Sequence, residues 1–98
     1  MAYQLIWSPS SRNDLQAIVS FIARDSKDRA EAFGFRLIHE AEKLESHPEL
    51  GRVVPEYREG SLRELIVRSY RLVYRVSHED CRIEIVRVWH AARAKPEV

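Results

Sequence analysis

A chain of 98 residues with 45% hydrophobic and 32% charged residues, a net charge of +1 and one cysteine is sized for a single domain, 1–98, with a modest core. It has no apolar run near the ~18–20 residues of a membrane span, no internal disulfide, and no cysteine or histidine spacing of a zinc site. Its N-terminus, Met-Ala-Tyr-Gln-Leu-Ile-Trp, lacks the basic region of a signal peptide, so a cytoplasmic location is expected.

Tyr3 to Trp7 is a short apolar run suited to a strand. Ser8-Pro9 then reads as a helix start, with serine as N-cap and proline in the first turn. Leu15, Ile18, Val19 and Ile22 follow at amphipathic-helix spacing. Arg12 and Asp14 are expected on the solvent side, and the helix is expected to end near Arg24. A second helix should start between Ser26 and Asp28 and reach about Ser46, with Ala30, Phe33, Leu37, Ala41 and Leu44 as its apolar stripe. Gly34 costs about 1 kcal/mol in a helix relative to alanine, which close approach of the first helix would justify. Phe35 falls off the stripe. So short a turn makes the two helices an antiparallel hairpin.

His47-Pro48-Glu49-Leu50-Gly51 ends the second helix, because Pro48 cannot continue it. Arg52 to Gly60 reads as an irregular link. Three strands follow, Leu62–Val67, Tyr70–Val76 and Arg82–His90, joined by tight turns. Alternation puts Tyr70, Leu72, Tyr74 and Val76 on the core face and Arg71, Val73 and Arg75 outward. In the last strand, Ile83, Ile85, Arg87 and Trp89 alternate with Arg82, Glu84, Val86, Val88 and His90. The order β-α-α-β-β-β gives an α+β fold, with both helices on one face of a mostly antiparallel sheet. The place of the first strand in that sheet is left open.

Positive charge concentrates in the strand-rich half. Residues 1–49 hold six Lys/Arg against eight Asp/Glu and residues 50–98 hold ten against seven, so the halves carry −2 and +3. Arg63, Arg71, Arg75, Arg93 and His90 are candidates for a cationic cluster on an open sheet face, with Glu64 beside them. RNA cleavage by in-line attack needs a base, an acid and cations for the phosphorane charge, which His or Glu and Arg supply. The alternative is arginines paired with Glu64, Glu79 and Glu84 across the sheet, the commoner outcome for such residues. His39 and His47 are expected on the surface and His78 in a turn. Cys81 follows His78-Glu79-Asp80 in a turn and is expected to be an unreactive thiol. There is no glycine-rich phosphate loop, no metal or cofactor constellation and no helix-turn-helix signature, so specific DNA binding by this chain is not expected. Trp7, Phe21 and Phe35 are candidates for lining grooves beside the helices, where a partner peptide could dock.

Trp7-Ser8-Pro9, Asp14-Leu15, His47-Pro48-Glu49-Leu50-Gly51, Arg63-Glu64-Leu65, the run from Tyr70 to Val76 and Val88-Trp89-His90-Ala91-Ala92-Arg93 together resemble the ParE branch of the RelE/ParE toxin superfamily. The resemblance spans roughly Leu5 to Arg93. It implies a helical hairpin packed on an antiparallel sheet, and a cognate antitoxin whose terminal segment folds as it binds. It also implies one of two activities. ParE-like toxins inhibit DNA gyrase by protein contact, whereas RelE-like toxins cut mRNA in the ribosome with a basic cluster on the sheet. Arg71 matches an arginine of the RNA-cleaving branch, and His90 has counterparts in both. The paired lysines which that branch often carries on the preceding strand are absent, and the tail after Arg93 is short. The expectation is therefore a gyrase inhibitor. The alternatives are an endoribonuclease using Arg63, Glu64, Arg71, His90 and Arg93, or an inactive module that only binds antitoxin.

Overall fold

The structure, a computed structural model, describes residues 2–57 and 61–92. Strand β1 (Gln4–Trp7) leads into helix α1 (Pro9–Ala23), then helix α2 (Lys27–Glu42), whose last turn tightens to a 3₁₀ turn at Lys43–Glu45. Strands β2 (Arg52–Val53), β3 (Leu62–Val67), β4 (Tyr70–Ser77) and β5 (Arg82–His90) follow. They form one sheet in the order β1-β5-β4-β3-β2, antiparallel except that β1 runs parallel to β5. Two helices therefore pack on one face of a mostly antiparallel sheet, as the sequence pattern implies. The addition is β2, two residues inside the expected link, where Arg52 pairs with Glu64 and Val53 with Arg63.

The helices start on serines. Ser8 accepts a hydrogen bond from the Ser11 N–H, with Pro9 in the first turn, and Ser26 accepts one from the Arg29 N–H. Each such cap is worth roughly 1 kcal/mol. Ser8 also donates through its hydroxyl to the Val86 carbonyl, which ties the start of α1 to β5. The stripe of α2 is buried as its spacing dictates, with Phe33, Leu37, Ala41 and Leu44 in the main core. Leu72, Tyr74, Ile83, Ile85 and Val88 meet them from the sheet, and Leu15, Ile18 and Ile22 of α1 pack alongside. A Cβ on Gly34 would stand 3.1 Å from a Val19 methyl, so this glycine lets α1 and α2 touch.

The other sheet face is partly covered. After β2 the chain turns over it at residues 54–57, and Val54, Leu62, Val73 and Val86 form a second small core with Tyr57 against it, while Ile66 stays exposed. Val73, expected outward, is fully buried, and Arg71 is 7% exposed. The sheet needs this cover because β3, β4 and β5 all put apolar residues on both faces.

The turn at Pro48–Gly51 is stapled from below. The Tyr74 hydroxyl donates to the Pro48 carbonyl and accepts from the Gly51 N–H, each at 2.9 Å. The Arg63 guanidinium donates to the Gly51 carbonyl at 2.8 Å. Burial of the Tyr74 ring raises its hydroxyl pKa, partly offset by the Gly51 N–H. Both hairpin turns contain a residue with left-handed backbone, Arg68 (φ 54°) and Cys81 (φ 51°).

Candidate functional site

Sheet register decides which candidate residues share a face. Glu64 pairs opposite Val73, Ile66 opposite Arg71, and Arg63 opposite Tyr74. Tyr74 belongs to the helix-side core, so Arg63 lies on the helix side and Glu64 and Arg71 on the other. In β5 the alternation breaks. Val73 pairs with Arg87 but Tyr74 with Ile85, so Val86 is an extra residue in a bulge. Ile83 and Ile85 face the helices before it, and Val88 and His90 after it. Trp89 is opposite Arg71 and His90 opposite Tyr70. His90 therefore sits on the helix side, its ring edge-on to Tyr70 at 5.1 Å. Its Nδ1 accepts the Ala92 N–H at 3.1 Å. The expected cluster of Arg63, Arg71 and His90 on one face is thus divided between two faces, and Arg93 lies outside the described residues.

Arg71 is the centre of a buried ionic network. Its Nε donates to Glu64 at 2.5 Å, and its two terminal nitrogens donate to both carboxylate oxygens of Glu56 at 3.1 and 2.7 Å. Glu64 is 1% exposed and also accepts from Arg52 Nε at 2.7 Å. Glu56 is brought over the sheet by the turn after β2, residues 54–57. The carboxylates, Glu56 first, raise the Arg71 pKa, and Arg71 in turn holds Glu56 below its usual value of 4.5. A carboxylate with a depressed folded-state pKa stabilises fully above its unfolded value and loses that contribution as pH falls through the folded one. Stability to denaturant is therefore expected to drop as pH falls below about 4.5. Glu56→Gln should flatten part of that acid limb, and an unchanged limb would contradict the assignment.

The other sheet arginines are paired too. Arg75 meets Glu84 at 3.5 Å, its cross-strand neighbour, and Arg82 meets Asp80 at 3.1 Å. Arg87 makes a two-pronged contact with Asp14 at 2.7 and 3.1 Å and lies 5.0 Å from the Trp89 ring centre. Asp14, expected in solvent, is half-buried against β5, where it also accepts the Val88 N–H at 2.9 Å. It takes the place of a neighbouring strand beyond the end of β1. Helix α1 follows β1 closely enough for its second turn to present Asp14 there, which helical spacing alone did not reveal. Cross-strand pairing of Arg71 with Glu64 and of Arg75 with Glu84 was legible from the sequence.

The groove candidates are placed apart. Phe21 and Phe35 are each 64% exposed. Phe21 borders a groove of about 530 Å³ between α1 and the end of β5, with Ala17, Ile18, Tyr70, Val88 and His90. Trp7 is half-buried against the main core and borders a different groove with Leu5, Ile6 and Ile38. Among the described residues no group of His, Cys, Asp or Glu is placed to hold a metal ion, and no helix is long and apolar enough to cross a membrane.

Residues 5–95 match the family model of the ParE toxin of the type II toxin–antitoxin system parDE. The chain is 36% identical over 91 residues to toxin RelE2 of Caulobacter vibrioides, spanning 92% of this chain and 97% of that one. Its fold is similar to the chromosomal ParDE system of P. aeruginosa (TM-score 0.74, 18% identity, 91% of this chain and 96% of that chain). It is also similar to the RelBE2 toxin–antitoxin complex of Mycobacterium tuberculosis (TM-score 0.68, 23% identity, 95% of each chain). The family match across nearly the whole chain, on a hairpin-and-sheet fold shared with both systems, makes this chain a member of the ParE toxin family of type II toxin–antitoxin systems, within the RelE/ParE superfamily.

Proposed function

We propose that this toxin acts by protein contact on DNA gyrase, and that a cognate antitoxin neutralises it by laying a segment along the helical hairpin. The carrying observation is the state of Arg71. Each of its three nitrogens donates to Glu64 or Glu56, on a face partly covered by residues 54–57. An arginine so held is a structural cation, not one free to meet a phosphorane. Among the described residues His90 is on the opposite face and Glu64 is buried in an ion pair, which argues against base, acid and cation acting together. What the surface offers is apolar contact area. Phe21 and Phe35 stand exposed on the two helices, and Trp7 borders a third position beside β1. Large exposed aromatics suit protein recognition.

The similarity to a toxin bearing the RelE name favours one further reading, a ribosome-dependent endoribonuclease. Expression without antitoxin separates the two. Purified toxin is expected to inhibit gyrase supercoiling or trap cleaved DNA, and expressing cells should raise a DNA-damage response before translation stops. Cleaved ribosome-bound mRNA with gyrase untouched would replace the gyrase reading by the nuclease one. Normal growth with folded toxin present would point to an inactive, antitoxin-binding module.

A further inference from the structure

Six of the eleven described arginines form ion pairs, and three of the other five stand together. Arg29 and Arg36 of α2 and Arg68 of the β3–β4 turn line one cleft of about 310 Å³. All three are exposed, and none forms an ion pair with a described carboxylate. Arg36 is felt by Glu40 through space, but that carboxylate is bonded to Lys43. The floor of the cleft is apolar. Ile22 and Ala32 lie beside the tilted pair of Phe33 and Tyr70, whose ring centres are 5.4 Å apart. Three like charges around an apolar floor repel one another and attract a ligand that is apolar inside and anionic at its rim.

We propose that this cleft binds a segment of the antitoxin that carries carboxylates beside apolar side chains. The segment's apolar side chains would lie on Phe33 and Tyr70, and its carboxylates would meet Arg29, Arg36 and Arg68. Guanidinium groups suit that role because they meet carboxylates with two parallel hydrogen bonds. Charge complementarity selects the occupant. A neutral apolar segment would leave three arginines unpaired at the edge of a dry contact. The assignment to the antitoxin rests on the neutralisation reading above. The cleft's preference for acidic peptide does not.

Arg68 makes the test clean. Its left-handed backbone (φ 54°) is the conformation glycine adopts without steric cost. Arg68→Gly should therefore keep or raise the melting temperature while removing one rim charge. The probes are a synthetic leucine–glutamate peptide, its leucine–glutamine counterpart and inorganic phosphate, each titrated into the full-length toxin. The glutamate peptide is expected to bind, to weaken as ionic strength rises, and to lose about tenfold in affinity on Arg36→Gln or Arg68→Gly, as loss of one charge-assisted bond implies. The glutamine peptide should bind at least about tenfold less tightly. Equal binding of the two peptides, no saturable binding of the glutamate peptide, or affinity unchanged in both variants overturns the proposal. Phosphate displacing the glutamate peptide at comparable concentration also overturns it, in favour of a phosphate-bearing ligand. No gyrase enters the titration, so a failed supercoiling assay leaves this result standing, and the reverse holds too.

Discussion

Arg71→Ala is expected to destabilise the fold by about 3–5 kcal/mol, the usual cost of removing one partner of a buried ion pair. The alanine would leave Glu64, 1% exposed, with only Arg52 for company, and Arg52 is itself exposed. Glu56 would lose both its hydrogen bonds to Arg71, and with them an anchor that holds residues 54–57 over Val73 and Val86. Proteins of this size have total stabilities of roughly 5–15 kcal/mol, so the variant is expected near the edge of folding. Denaturant unfolding checks it. A loss under about 1 kcal/mol would mean that the network is far more tolerant than its burial implies. Arg71→Met with Glu64→Leu should recover much of the loss, because replacing both buried charges by apolar groups is often neutral. The same variants bear on function. If gyrase inhibition follows folded protein in the doubly apolar variant, Arg71 acts through the fold. Lost activity in a folded, doubly apolar variant would give Arg71 a direct role.

Gly51→Ala should cost about 2–4 kcal/mol, combining overpacking with a lost buried hydrogen bond. A Cβ there would stand 2.5 Å from the Glu64 carbonyl oxygen and 2.8 Å from the Tyr74 ring and hydroxyl. The first neighbour is sheet backbone and the second a fully buried ring, so neither can swing aside. The chain at Pro48–Arg52 must lift instead, breaking the Gly51 bonds to Tyr74 and Arg63 and unseating β2. Tyr74→Phe removes only the hydroxyl and is expected to cost about 1–3 kcal/mol. Because both substitutions break the same contact, their combination should cost less than the two losses added. Strict additivity in denaturant unfolding would show that Gly51 and Tyr74 act independently.

These two sites show why separate motifs of the sequence belong together. Pro48 and Gly51 read as a helix stop, and Tyr74 as one core residue among several. Only the fold puts the Tyr74 hydroxyl between the Pro48 carbonyl and the Gly51 N–H. Likewise Asp14 reads as a solvent residue one place before Leu15. Its partners, Arg87 and the Val88 N–H, are more than 70 residues away in the chain.

Local sequence signals set every element except β2, and their order along the chain. Serine caps, Pro9 and Pro48, the α2 stripe and the alternation in β4 are local signals, read within a few residues, and the structure bears them out. Pairing of arginines with glutamates across the sheet was one of two readings the sequence offered, and Arg71 with Glu64 and Arg75 with Glu84 follow it, without the expected Glu79. Long-range pairing set the faces of β5. The bulge at Val86 shifts the period of β5 by one residue and carries His90 to the side away from Arg71. Alternation cannot announce such a shift, because Val86 and Val88 suit either face and Arg87 between them can pair on either. Nor could it announce that residues 54–57 would cover part of the second face. That cover is a long-range contact, stabilised by the burial of Val54 and by Glu56 reaching Arg71, and neither residue carries its partner's address in its neighbours.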